Sequence, residues 1–131
     1  MIKTLSNSNF IFTDTKEKKL SYKEIQKIVD HLINFDDPLI IGRAVLKIDK
    51  MNISNARKFI PALTTVITDN HRYCTICIDS TKAVIALLGK ICTNKDIKAV
   101  KALEDTAKDE KQFRPVKEEA QRSLEKIKNK K

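Results

Sequence analysis

Between Thr81 and Thr93 the chain reads TKAVIALLGKICT, and no other stretch restricts the possible folds as tightly. Ala83, Val84, Leu87, Leu88 and Ile91 recur at three- and four-residue spacings, the period of the buried stripe of a helix. Small residues (Ala83, Ala86 and Gly89) lie among them, where a neighbouring helix can approach closely. Two other stretches echo this one, RAVLKIDKM at 43–51 and EAQRSLEKI at 119–127. A threefold echo points to a chain built from repeated helical units.

Turn chemistry agrees with an all-helical reading. Among 131 residues there are two glycines and three prolines, too few for a turn-rich β architecture. Gly42 and Gly89 stand alone, so no glycine-rich loop is present to cradle a phosphate. The length suits one domain, with residues 1–20 as an N-terminal arm and 21–129 as the helical domain. In the arm, Phe10, Ile11 and Phe12 are placed to pack against the first helix, with pairing to a partner chain as the alternative. No apolar run nears the roughly 20 residues of a membrane span, so no membrane partner is expected. The first 19 residues lack the long apolar core and small-residue cleavage site of a signal peptide. Three cysteines without an evident framework fit a reducing compartment, and the expected location is cytoplasmic.

The net charge of +9 is unevenly distributed. Residues 1–20 carry +2 and residues 21–52 carry none, whereas 53–93 carry +3 and 94–131 carry +4. Such an excess is the electrostatic footprint expected for nucleic acid or an acidic protein. The bland account is a lysine-rich composition, because lysine far outnumbers arginine and acids are mixed among the bases.

Start and stop signals divide the chain into six helices. Ser21 and Glu24 have the spacing of a capping box, and Leu20 and Ile25 are placed for a hydrophobic staple. That helix runs through Ile28, Val29 and Leu32 to about Asn34. Asp37 then caps a second helix with Pro38 at its first position, and Ile40, Ile41, Ala44, Val45, Ile48 and Met51 form its apolar face. Ser54 is read as the cap of a third helix, which Pro61 should kink and Asp69-Asn70 close. Residues 71–80 either begin the fourth helix, with Ile76 and Cys77 in its first turns, or lead to a cap at Asp79 or Ser80. Thr93 to Asp96 offers a cap for the fifth helix, which buries Ile97, Val100, Leu103 and Ala107. Pro115 opens the sixth, with Val116, Ala120, Leu124 and Ile127 on its face.

Aligning the echoes superposes Ala44, Ala83 and Ala120, at spacings of 39 and 37. Ile48, Leu87 and Leu124 follow four residues later, and then Met51, Ile91 and Ile127. A period near 40 built from helix–turn–helix units is the signature of stacked α-hairpins. In Pro61, Asp69 and the run Ala83–Ile91 the chain resembles the HEAT-repeat family, and Asp37-Pro38 and Asp109 match that family's turn. The resemblance spans roughly 21–129. It implies a right-handed α-α superhelix of about three hairpins and six helices, and a non-enzymatic scaffold that binds another protein through its concave face or its ends. An armadillo-type stack and a plain six-helix bundle are the alternative arrangements. Family members often carry a Val-Arg pair early in the second helix, the Arg meeting a turn Asp of a neighbour. Here those positions read Ile40-Ile41, Asp79-Ser80 and Val116-Lys117, so no Asp–Arg ladder is expected.

Little in the chain resembles catalytic chemistry. His71, Cys74 and Cys77 stand as H-x-x-C-x-x-C, but no second CxxC completes a zinc set, and no metal or other cofactor is expected. Neither histidine has a nucleophile and acid arranged around it, so no catalytic residue is assigned. The expected binding surface is the outward row of the second helices: Arg43, Lys47 and Lys50, then Lys82 and Lys90, then Lys126, interrupted by Glu119 and Ser123. An acidic peptide suits such a basic row, and nucleic-acid phosphates are the alternative partner. Aromatic side chains for stacking on bases are nearly absent from it.

Overall fold

The computed structural model describes residues 20–34, 37–68 and 78–130. The arm residues Phe10, Ile11 and Phe12, the Asp69-Asn70 stop and the His71–Cys77 motif lie outside the described residues. The described chain is all-α, in six helical passages.

Local chemistry accounts for most of the boundaries. α1 (Tyr22–Ile33) opens on a complete capping box. Its Glu24 N–H donates to Ser21 Oγ at 3.2 Å, and the Ser21 N–H donates to Glu24 Oε1 at 3.1 Å. Leu20 and Ile25, the residues placed for a staple, are both half-buried against the core. α2 (Pro38–Asp49) starts where Asp37 accepts the Leu39 N–H at 2.9 Å.

The third passage departs from expectation at both its start and its bend. Its cap is Asn52, not Ser54: Asn52 Oδ1 accepts the Asn55 N–H at 2.8 Å and opens the short α3 (Ile53–Ala56). Pro61 produces a tightened turn upstream of itself. A helical Pro61 has no N–H for the Arg57 carbonyl, and its ring crowds that oxygen. Residues Arg57–Phe59 therefore wind as a 3-10 turn, and the Ile60 N–H donates to Arg57 O instead. α4 (Ile60–Thr68) continues from there.

The remaining helices are α5 (Ile78–Ile91), α6 (Ile97–Lys108) and α7 (Arg114–Lys128). Asp96 occupies the N-cap position of α6 but makes no capping bond, because its carboxylate is engaged elsewhere.

These elements pair as three antiparallel hairpins: α1 with α2, α4 with α5, and α6 with α7. The first helices lie side by side in one layer (α1, then α3–α4, then α6), and the second helices α2, α5 and α7 form the other. The core fills the space between the layers. Leu32, Phe59, Leu63, Val66 and Leu103 come from the first layer, and Ile41, Ile48, Val84, Ile85, Leu88 and Val116 from the second. Each such side chain contributes roughly 1.5–3 kcal/mol by leaving water.

α5 is the most enclosed helix, with eight of its fourteen residues buried. It sits between α2 and α7 in its own layer and against α4 in the other. Its buried stripe runs through Val84, Ile85, Leu87, Leu88 and Ile91, while Ala83 is only half-buried. The three aligned alanines thus differ in burial, Ala44 and Ala120 being buried and Ala83 half-buried.

On α7 the buried residues are Val116, Ala120, Ser123 and Ile127, and Leu124 is half-buried. Ser123, expected on the outward row, is fully enclosed. It faces Gly89 across the α5–α7 contact, where only a small side chain fits.

Candidate docking groove

The least buried positions of α5 are Ile78, Asp79, Lys82, Ala83, Ala86 and Lys90. From Asp79 onward they recur at three- and four-residue steps, so they lie on one side of the helix, turned away from the first layer. Because alanines stand in the middle of this stripe, α5 is recessed between its neighbours. The result is a groove of about 540 Å³ running across all three second helices. Its floor is Ala83, Ala86 and Leu87, and Val45 and Leu46 of α2 form one wall. Leu46 is 58% exposed, one of two leucines of α2 that face solvent, and it is the one that borders the groove. Lys90 of α5, Lys126 and Lys130 of the α7 end, and Asp49 of α2 stand around it.

The charged rim is held in place by bonds that recur one hairpin apart. Lys90 Nζ donates to Asp49 Oδ1 at 2.7 Å and to the Asp49 carbonyl at 3.1 Å, closing the end of α2. Lys130 Nζ does the same for α5, donating to the carbonyls of Gly89, Lys90 and Cys92 at 2.9, 2.7 and 2.7 Å. A cation on the last carbonyls satisfies acceptors that the helix cannot, and it opposes the negative end of the dipole. Burial pulls the Lys130 ammonium below the ordinary lysine value.

On the other side of the α5 terminus, Arg57 donates to the Ile91 carbonyl at 2.8 Å. The same guanidinium donates to both oxygens of Asp96, at 3.0 and 3.1 Å. Asp96 also accepts the Thr93 N–H at 2.7 Å. This Arg–Asp pair ties the first helices of adjacent hairpins. It arises from positions other than those the HEAT pattern would use, and so it escaped sequence reading.

Beneath this node lies Cys92, fully buried, whose thiol is pushed up to about 11, chiefly by burial and then by the Asp96 carboxylate. Such a thiol is inert. Among the described residues no three His, Cys, Asp or Glu side chains gather as a metal site, and no helix is long and apolar enough to cross a membrane.

The six residues expected to form one basic row are divided by the structure. Lys90 and Lys126 line the groove together, and Lys82 is half-buried on the same side of α5. Arg43, Lys47 and Lys50 are exposed but lie on α2 about a third of a turn round from its groove-lining residues. Leu46, Ala83, Ala86 and Lys130 were missed. The signal for the alanines was present, because Ala83, Ala86 and Lys90 repeat at helical spacing beside the buried stripe. Nothing local marks Lys130, since its three acceptors lie 38 to 41 residues away.

No protein-family model, curated protein or solved structure matches this chain.

Proposed function

We propose that this chain is a non-enzymatic, HEAT-like scaffold, its three hairpins wound as a right-handed superhelix, that binds another protein through the groove on its second-helix layer. The observation that carries this reading is the apolar floor on α5, with Val45 and an exposed Leu46 of α2 as its wall. Recessed apolar surface of this kind is the usual seat of an apolar side chain from a partner. The lining holds one carboxylate and three lysines but no His, Cys, Ser or Tyr to act as nucleophile or base. The test is a photo-crosslinking amino acid placed at Ala86 in the cells that make the protein. A discrete protein adduct is expected there and not from Gln121, which is exposed on the far side of α7. Equal labelling from both positions would overturn the reading.

A second reading, nucleic-acid binding, draws support from Arg43, Lys47 and Lys50. All three are exposed, and none is paired with a carboxylate among the described residues. Titration with duplex and single-stranded DNA at two salt concentrations tests it: micromolar binding that collapses with salt supports this reading, and no binding at low salt removes it.

A further inference from the structure

Charge that looks mixed along the sequence is sorted by the topology. Because the hairpins alternate in direction, the beginnings of the first helices and the ends of the second helices share one half of the molecule. The bonds from Lys90 to Asp49, Lys130 to Cys92 and Arg57 to Ile91 all join elements within that half. It comprises residues 20–27, 44–60, 85–102 and 122–130, which hold fourteen Lys and Arg against four Asp and Glu. The opposite half, the remaining described residues, holds six against nine. One half is thus strongly positive and the other mildly negative. Two of the four acids in the basic half, Asp49 and Asp96, are already held by Lys90 and Arg57.

Exposed apolar surface follows the same division. Six large apolar side chains are exposed among the described residues, and Tyr22, Leu46, Ile53 and Ile97 lie on the basic half. So does most of the groove lining, including Leu46, Ala86, Leu87 and all three of its lysines.

Resting on the protein-binding reading above, we infer that the partner presents an acidic amphipathic segment, whose apolar side chains seat on Leu46 and Ala86 and whose carboxylates face Lys126 and the basic half around it. Charge complementarity selects this occupant over others. A nucleic acid would meet the lysines but leave the apolar floor unused, since aliphatic side chains give bases no stacking surface. An anionic bilayer would meet the lysines too, but the alanine floor is recessed between α2 and α7, where a flat surface does not reach. Lys126 is the most available rim charge, because Lys90 and Lys130 already hold acceptors within the chain.

The experiment selects displayed random helical peptides on the immobilised full chain at about physiological ionic strength. Phosphatidylserine-containing vesicles and duplex DNA serve as comparison probes. The expected result is enrichment of net-negative peptides with apolar residues at three- and four-residue spacing. Their affinity should fall about five- to tenfold in Lys126→Glu and be unchanged in Glu104→Lys on the opposite half. They should also be displaced by Ala86→Leu, which fills the floor at a half-exposed position. Peptides that need the open floor at Ala86 but are neutral or basic, or ignore Lys126→Glu, would overturn the acidic inference and leave the groove reading standing. Failure to enrich any peptide sensitive to Ala86→Leu would overturn both. Tighter binding of vesicles or DNA than of any peptide, lost in Lys126→Glu, would overturn the assignment in favour of that polyanion. Helical circular dichroism of each variant shows that the fold is kept.

Discussion

Gly89 of α5 and Ser123 of α7 meet so closely that a Cβ on Gly89 would lie 2.6 Å from Ser123 Oγ and 2.9 Å from its Cα. Ser123 Oγ in turn donates to the Ile85 carbonyl at 2.8 Å, so the serine cannot swing aside without abandoning a buried bond. Gly42, the chain's other glycine, has nothing within 4 Å of the same hypothetical atom. The two glycines should therefore respond to alanine with opposite signs. Gly42→Ala gains helix propensity and is expected to stabilise by about 0.5–1 kcal/mol. Gly89→Ala makes the same gain but forces α7 away, for a net loss of about 1–2 kcal/mol. Urea denaturation of the two variants checks both; a gain at Gly89 refutes the close contact, and a loss at Gly42 refutes the open space there.

The Arg57–Asp96 pair makes a pH prediction. Burial of the Asp96 carboxyl favours its neutral form, but the Arg57 hydrogen bonds and the Thr93 N–H outweigh this and hold it below the ordinary value. A carboxyl depressed on folding stabilises the native state above its unfolded value, and that contribution is lost as the pH falls through the native one. Asp96→Asn should thus cost about 1–2 kcal/mol at neutral pH, an allowance for screening at a partly exposed pair included. Below pH about 4 the gap between wild type and variant should narrow. A gap that is constant from pH 7 to pH 3, measured by chemical denaturation, would show that the pair is not coupled to folding.

Lys130 provides a test of the carbonyl cluster at the end of α5. Lys130→Met keeps the aliphatic stem but leaves the Gly89, Lys90 and Cys92 carbonyls without this donor. The expected loss is about 1 kcal/mol, with faster hydrogen exchange over the α5–α6 junction and little change in α1. Uniform exchange changes across the chain would argue against a local tie.

Cys92 should be chemically silent in the folded protein. With Cys74 and Cys77 replaced by serine, its reaction with a thiol reagent at neutral pH should be at least about 100-fold slower than that of a free thiol. It should recover full reactivity in denaturant. Rapid labelling under native conditions would contradict the burial on which its raised value rests.

How much was legible beforehand depended on whether the signal was local. Caps at Ser21 and Asp37 were readable because donor and acceptor lie two or three residues apart. Asn52 was passed over for Ser54 because both are good capping residues, and only the backbone conformation selects between them. A disturbance near Pro61 was foreseeable from its missing N–H, though not that it would take the form of a 3-10 turn at 57–59. The groove was half-legible, with Lys90 and Lys126 expected and its alanine floor not.

By itself, then, the order of residues determined the helices: three- and four-residue apolar spacing, few glycines and side-chain caps leave little else for this chain to form. Of the three small residues expected to admit a close neighbour, Gly89 does so, whereas Ala83 and Ala86 line the groove. Tertiary structure alone decided which small residue that neighbour would contact, bringing Ser123 rather than any other residue against Gly89. It decided too that Arg57 would find Asp96, and that dispersed lysines would collect on one half of the molecule. The physical reason is range. Propensity and capping act within a turn of the chain, whereas these pairings join residues nearly 40 apart that meet only once the hairpins stack.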